Sequence, residues 1–194
     1  MSVNPSYPLL SESEYLDGEA LAKTKHELVD GQAYAMAGAS EYHNLLSSNM
    51  LTELKNRLKG SPCRVFIADM KVRAGSDFFY PDVMVVCQQD DANAYYKNAP
   101  TLIVEVLSKS TRRFDKTQKR LRCQQIPSLE YYVLIEQDIA EIVVFSRQEL
   151  WLPSYYFLGD DINFAALGVT VAVEDIYYQV NNEDVLAFLE QKST

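Results

Sequence analysis

Residues 80–86 read YPDVMVV, and residues 101–107 read TLIVEVL. Each is a short apolar run carrying a single carboxylate, Asp82 in the first and Glu105 in the second. The second run is apolar on both sides of Glu105, the pattern of a strand buried on both faces. An ionised carboxylate in such a strand is costly unless it is paired or bound to a metal. Asp82 follows a proline that sets the entry to the first strand, although Pro-Asp taken alone describes a turn equally well. The pair is more telling than either member. Twenty-two residues lie between the two carboxylates, enough for a loop joining neighbouring strands. Adjacent strands would then make an oxygen-rich site suited to Mg²⁺ or Mn²⁺. The backbone carbonyl of Val106 is a further candidate ligand. Such an ion polarises a phosphoryl oxygen and acidifies a bound water. A structural ion pair between Glu105 and a core Lys or Arg is the competing account. If instead the carboxylates cluster and repel, removing either leaves the metal-free protein no less stable.

Working outward, the flanking segments read as a mixture of strands and helices. Ser11 followed by Glu14 is a capping box, which starts a short helix. HELVDGQAYAMAG, residues 26–38, sets Asp30-Gly31 between two alternating runs, a hairpin signal. Leu45, Leu46, Met50, Leu51, Leu54 and Leu58 form one apolar stripe of a helix over 41–59, ended by Gly60 and Pro62. Strands are expected at 63–67, 70–73, 82–87 and 102–107, with an irregular acidic loop at 88–99. A helix over 115–125, strands at 131–135, 139–145 and 155–157, and a helix near 184–189 complete the series. This order suggests an α/β or α+β sheet with helices against it.

With 194 residues, 47% hydrophobic and 23% charged, the chain is expected to form one globular domain. No apolar run approaches the ~20 residues of a membrane-spanning helix, and the opening residues do not read as a secretory leader. A cytoplasmic location is therefore expected. Cys63, Cys87 and Cys123 are dispersed and unpaired in pattern, so they are expected to be buried, reduced thiols. The net charge of −9 argues against a protein that coats nucleic acid nonspecifically. The charge is unevenly spread, however. Residues 109–122 hold seven of the eighteen Lys and Arg against Asp115 alone, a segment of +6 in a remainder of −15. Such a patch can bind phosphate locally. No P-loop, GxGxxG, HExxH or GxSxG is present.

PD, then E-x-x on the next apolar strand, then a basic helix, resembles the PD-(D/E)xK nuclease superfamily. More narrowly, four features resemble the Uma-two family, a bacterial family often labelled restriction endonuclease. They are HELVDGQAYAMAG, His43, YPDVMVV and the stretch IVEVLSKSTRRFDKTQKRLRCQQIPSLEYYVLIE at 103–136. The resemblance spans roughly residues 11 to 180. It implies a restriction-endonuclease-like fold, a mixed central sheet flanked by helices with an additional N-terminal hairpin. It further implies Mg²⁺- or Mn²⁺-dependent hydrolysis of DNA, in a protein that pairs as a homodimer to cut two strands.

One departure matters. The lysine of E-x-K would fall at Leu107. The resemblance moves that role to Lys119, where a cation is still needed to offset charge on the phosphate. Lys109, nearer in sequence to Glu105, is the alternative. Helical spacing puts Arg112, Lys116 and Lys119 on one face and Phe114 and Leu121 on the other. The resemblance also assigns Glu27 to the metal shell or to a water bound to it, against a plain solvent-facing strand Glu. His43 contacts phosphate or carries a proton, or else caps its helix. Ser108 and Ser110 contact a phosphate or cap the coming helix, Lys109, Arg112, Arg113 and Lys116 are candidate phosphate contacts, and His26 is expected at the surface. Two functions stand: a metal-dependent endonuclease, or a nuclease-fold protein that binds nucleic acid or a protein partner.

Overall fold

The computed structural model describes residues 9–88 and 93–192. Helix α1 (Glu12–Leu21) opens on the expected capping box, in which Ser11 and Glu14 each accept from the other's backbone N–H. Strands β1 (His26–Val29) and β2 (Gln32–Ala35) form the hairpin. Its two loop residues, Asp30 and Gly31, take φ of 50° and 75°, the left-handed pair that a tight right-twisted turn requires. Ser40 caps α2 (Glu41–Arg57) by accepting from the His43 N–H. There follow β3 (Arg64–Ile67), β4 (Lys71–Ala74), β5 (Asp77–Phe79), β6 (Val83–Val86), β7 (Tyr96–Lys97) and β8 (Leu102–Leu107). A helical segment then runs through α3 (Arg112–Phe114), a π-helical turn (Asp115–Lys119) and α4 (Arg120–Cys123). The remainder is β9 (Tyr131–Glu136), β10 (Glu141–Ser146), β11 (Pro153–Phe157), β12 (Asp161–Phe164), β13 (Val169–Ala172), α5 (Val173–Ile176) and α6 (Glu183–Lys192).

The central sheet has six strands in the order β11-β10-β9-β8-β6-β3. Only β8 and β9 pair in parallel, and the 112–123 helical segment is the crossover that a parallel pair needs. All six residues of β8 and all six of β9 are buried, as expected of central strands covered on both faces. One face packs Val83, Val104 and Val133 against Leu46, Met50 and Leu54 of α2. The other packs Met84, Ile103 and Leu134 against Val72 and Phe79, and against Cys123 from the crossover. Val72 and Phe79 belong to a second sheet, ordered β2-β1-β5-β4-β7. The result is a mixed α+β fold in which the expected hairpin is the edge of a five-stranded sheet. No described helix is long and apolar enough to cross a membrane.

Four expectations are corrected. Cys63 and Cys87 form a disulfide, not two free thiols. The antiparallel pair Arg64–Val86 brings them together, and a separation of 24 hides this in the sequence. Leu121 is exposed, because the π turn rotates the rest of the segment, so that Asp115, Lys119 and Cys123 face inward. His26 is half-buried, its backbone N–H and ring both meeting the Glu19 carboxylate. The loop expected at 88–99 contains β7, which pairs with β4; its residues 89–92 lie outside the described residues.

Candidate active site

The register of the central sheet brings the two carboxylates together. Val83 stands opposite Val104 in the antiparallel pair β6–β8, so Asp82 and Glu105, one step further, face each other across the strands on one side of the sheet. Asp82 Oδ2 accepts from the Val106 N–H at 2.7 Å. It also lies 3.2 Å from His43 Nε2, in the first turn of α2. Burial would lower the His43 pKa, but the hydrogen bond and charge of Asp82 outweigh it and hold the imidazole above its ordinary value. Glu105 is 3% exposed. Burial, with help from Asp115, Asp82 and Glu27, pushes its carboxyl well up in spite of Lys119.

Lys119 is the cation that reaches this pair. Its Nζ lies 2.9 Å from Glu105 Oε1, 2.8 Å from Glu27 Oε1 and 3.9 Å from Asp115 Oδ1. Burial alone would lower the ammonium, but Glu105, Glu27 and Asp115 together carry its pKa well above normal. Glu27 Oε1 also accepts from the Tyr80 N–H at 3.0 Å, which ties the hairpin to the chain just before Asp82. The π turn makes this arrangement possible, because it points both Asp115 and Lys119 inward from a segment that is otherwise basic. Single π turns inside helices are frequent at functional sites. Lys109 is exposed and touches no carboxylate among the described residues.

A cleft of about 1210 Å³ exposes the cluster; Glu27, His43, Asp82, Glu105, Lys119, Ser108, Lys109 and Ser110 all line it. Ser108 Oγ lies 3.0 Å from Ser110 Oγ and accepts from the Thr111 N–H. Arg112 and Lys116 turn away from the carboxylate pair to Glu136, at 2.5 and 2.8 Å, and Arg113 is exposed. Asp115, Tyr80 and Glu136 belong to the site or its support without having been singled out from the sequence. Asp115 carried a signal: it is the lone carboxylate of the basic run and stands four residues before Lys119. Tyr80 acts through its backbone, which no side-chain pattern reveals.

Residues 12–174 match the sequence model of the Uma-two (Uma2) family, described as "Putative restriction endonuclease". The chain belongs to the Uma-two family. An uncharacterized Synechocystis protein, slr1290, is 34% identical over 181 residues, which cover 91% of this chain and 95% of that one. A second, sll1609, is 36% identical over 143 residues, 71% of this chain and 80% of its own. The likeness also extends to a crystal structure from Anabaena variabilis, "a putative nuclease belonging to DUF820". It matches with a TM-score of 0.75 at 16% identity, covering 89% of this chain and 99% of that one. At that identity the match establishes the fold, which is restriction-endonuclease-like.

The Uma-two site can be tested for its fit to a divalent ion. Among the described residues, no three His, Cys, Asp or Glu side chains form a ready-made cage. The donors that are present still suit Mg²⁺, which binds through one or two carboxylates and keeps several waters. Glu105 Oε1 is buried and accepts no hydrogen bond, Lys119 lying close but off its line. An acceptor left in this state is costly, and a small hard cation beside it would satisfy it.

Proposed function

We propose that this chain is a metal-dependent nuclease that hydrolyses phosphodiester bonds of DNA. The observation that carries the reading is the convergence of Asp82, Glu105 and Lys119, from three separate elements, on one cleft. Asp82 and Glu105, with the carbonyl of Val106, would hold Mg²⁺ or Mn²⁺. The ion would supply the Lewis acid that polarises the phosphate and lowers the pKa of an attacking water. Lys119 offsets the charge that builds on the phosphate in the transition state. Glu27 and the Tyr80 carbonyl hold its ammonium in place. His43, whose pKa the Asp82 hydrogen bond and charge raise against burial, stands where it can give a proton to the departing oxygen. Glu27, whose Oε1 meets Lys119 and the Tyr80 N–H, lines the cleft and can orient a water at the ion.

The test is calorimetric titration of Mn²⁺ and Mg²⁺ into wild type and an Asp82→Ala/Glu105→Ala double variant, followed by a nuclease screen. Binding by wild type alone, with Lys119→Met lowering turnover by about 10²-fold or more, is the expected result. Equal binding by both proteins, or none even with DNA present, would favour a nuclease-fold binding protein. One observation speaks for that second reading: Lys119 already pairs with both Glu105 and Glu27 without an ion.

A further inference from the structure

The basic segment has far less charge to offer a substrate than its composition suggests. Arg112 and Lys116 both serve Glu136, which is 2% exposed. Swinging either one to a phosphate would give up one of the two bonds that satisfy this buried carboxylate, and swinging both would strand it, a cost of several kcal/mol when a buried pair is broken. Lys119 is held among Glu105, Glu27 and Asp115. Arg122 is held between Asp30 and Asp77. Arg120 lies 4.4 Å over the Phe145 ring and donates to the Lys116 carbonyl. Among the described residues, only Lys109 and Arg113 of these seven cations lack any partner, and both are exposed.

The rest of the molecule is strongly acidic, so a duplex laid across it would meet repulsion on both sides of the contact. Exposed Ile67 and partly exposed Met36 line the same cleft, and they offer apolar surface to unstacked bases. Resting on the nuclease reading, we propose that the cleft engages one strand over a short single-stranded stretch, with Lys109 and Arg113 as its only flanking phosphate contacts. Arg112 and Lys116 are positioning residues for Glu136 and do not touch substrate.

Salt dependence measures this directly, because each phosphate contact on a single strand contributes about −0.7 to the slope of log K against log salt. The experiment follows fluorescence anisotropy of a single-stranded oligodeoxynucleotide of about 12 nucleotides, and of its duplex, with Ca²⁺ in place of a catalytic ion. The expected result is tighter binding of the single strand, with a slope of about −1.4. Lys109→Gln and Arg113→Gln should each lower the slope by about half. Lys116→Gln should leave the slope unchanged while lowering the melting temperature; should it fail to fold, the two exposed variants carry the test. Duplex binding as tight as single-strand binding, or a slope near −6 as for seven contacts on a duplex, overturns the proposal. In that case metal-dependent cleavage would persist and the nuclease reading would stand. Binding of neither probe, together with no cleavage, overturns both.

Discussion

Glu105 and Asp82 answer differently to the loss of a charge, although both line the same cleft. Burial and three neighbouring carboxylates oppose ionisation of Glu105, and Lys119 only partly compensates. Glu105→Gln is therefore expected to leave the metal-free melting temperature unchanged or raise it. Asp82 instead accepts the Val106 N–H. Asp82→Ala leaves that donor unsatisfied and should cost about 1–3 kcal/mol, while Asp82→Asn should cost much less. Lys119→Met removes the only ammonium that touches Glu27 and Glu105 among the described residues and should cost about 3 kcal/mol. Urea melts of the four variants in EDTA check all of this; a stabilised Lys119→Met would show that the cluster does not depend on its cation. At this scale the sequence was informative where chemistry broke a pattern. A carboxylate inside TLIVEVL stands out, and Asp82 and Glu105 do face one another. Glu136 does not stand out, because it closes the run YYVLIE, where a polar residue reads as a strand end.

Elements with strong local signals formed where expected: the capping box of α1, the Asp-Gly hairpin, the apolar stripe of α2 and the apolar run of β8 around Glu105. The second sheet was not legible as a unit. Its strands are two to four residues long, and they pair β1 with β5 across half the chain's first hundred residues. Short strands without clear alternation carry no period from which pairing can be read. The π turn was equally hidden, since it depends on what Lys119 meets inside. The hairpin is fastened to the crossover by Arg122, which pairs with Asp30 and with buried Asp77. Hydrogen bonding from Arg122 holds the Asp30 carboxyl below its ordinary range. A carboxyl lowered in this way adds stability above the unfolded value of about 3.9, and that stability is lost as pH falls through the lowered folded value. Between about pH 5 and pH 2, wild type should therefore lose melting temperature more steeply than Asp30→Asn. Parallel slopes would show that the tie contributes nothing. Arg122→Met, which strands Asp77, should cost about 1–3 kcal/mol at neutral pH.

Across the whole molecule, the −9 net charge hides the division of labour between an acidic body and a helical crossover whose cations are mostly paired with the protein's own carboxylates. Composition revealed the patch but not its commitments, because partners such as Glu136, Asp77 and Glu27 come from distant parts of the chain. The Glu27–Lys119 bond joins residues 92 apart in sequence. Contacts that close so long a loop form late, after local helices and hairpins have gained what they can. During refolding from urea, the far-ultraviolet helix signal should return before Mn²⁺ uptake does, and simultaneous recovery would argue against this order. A nascent or partly opened chain thus holds its carboxylates without the lysine that completes them. On the proposed nuclease reading, cutting power is withheld until the hairpin and the crossover have met, so the cell meets this activity only in finished molecules.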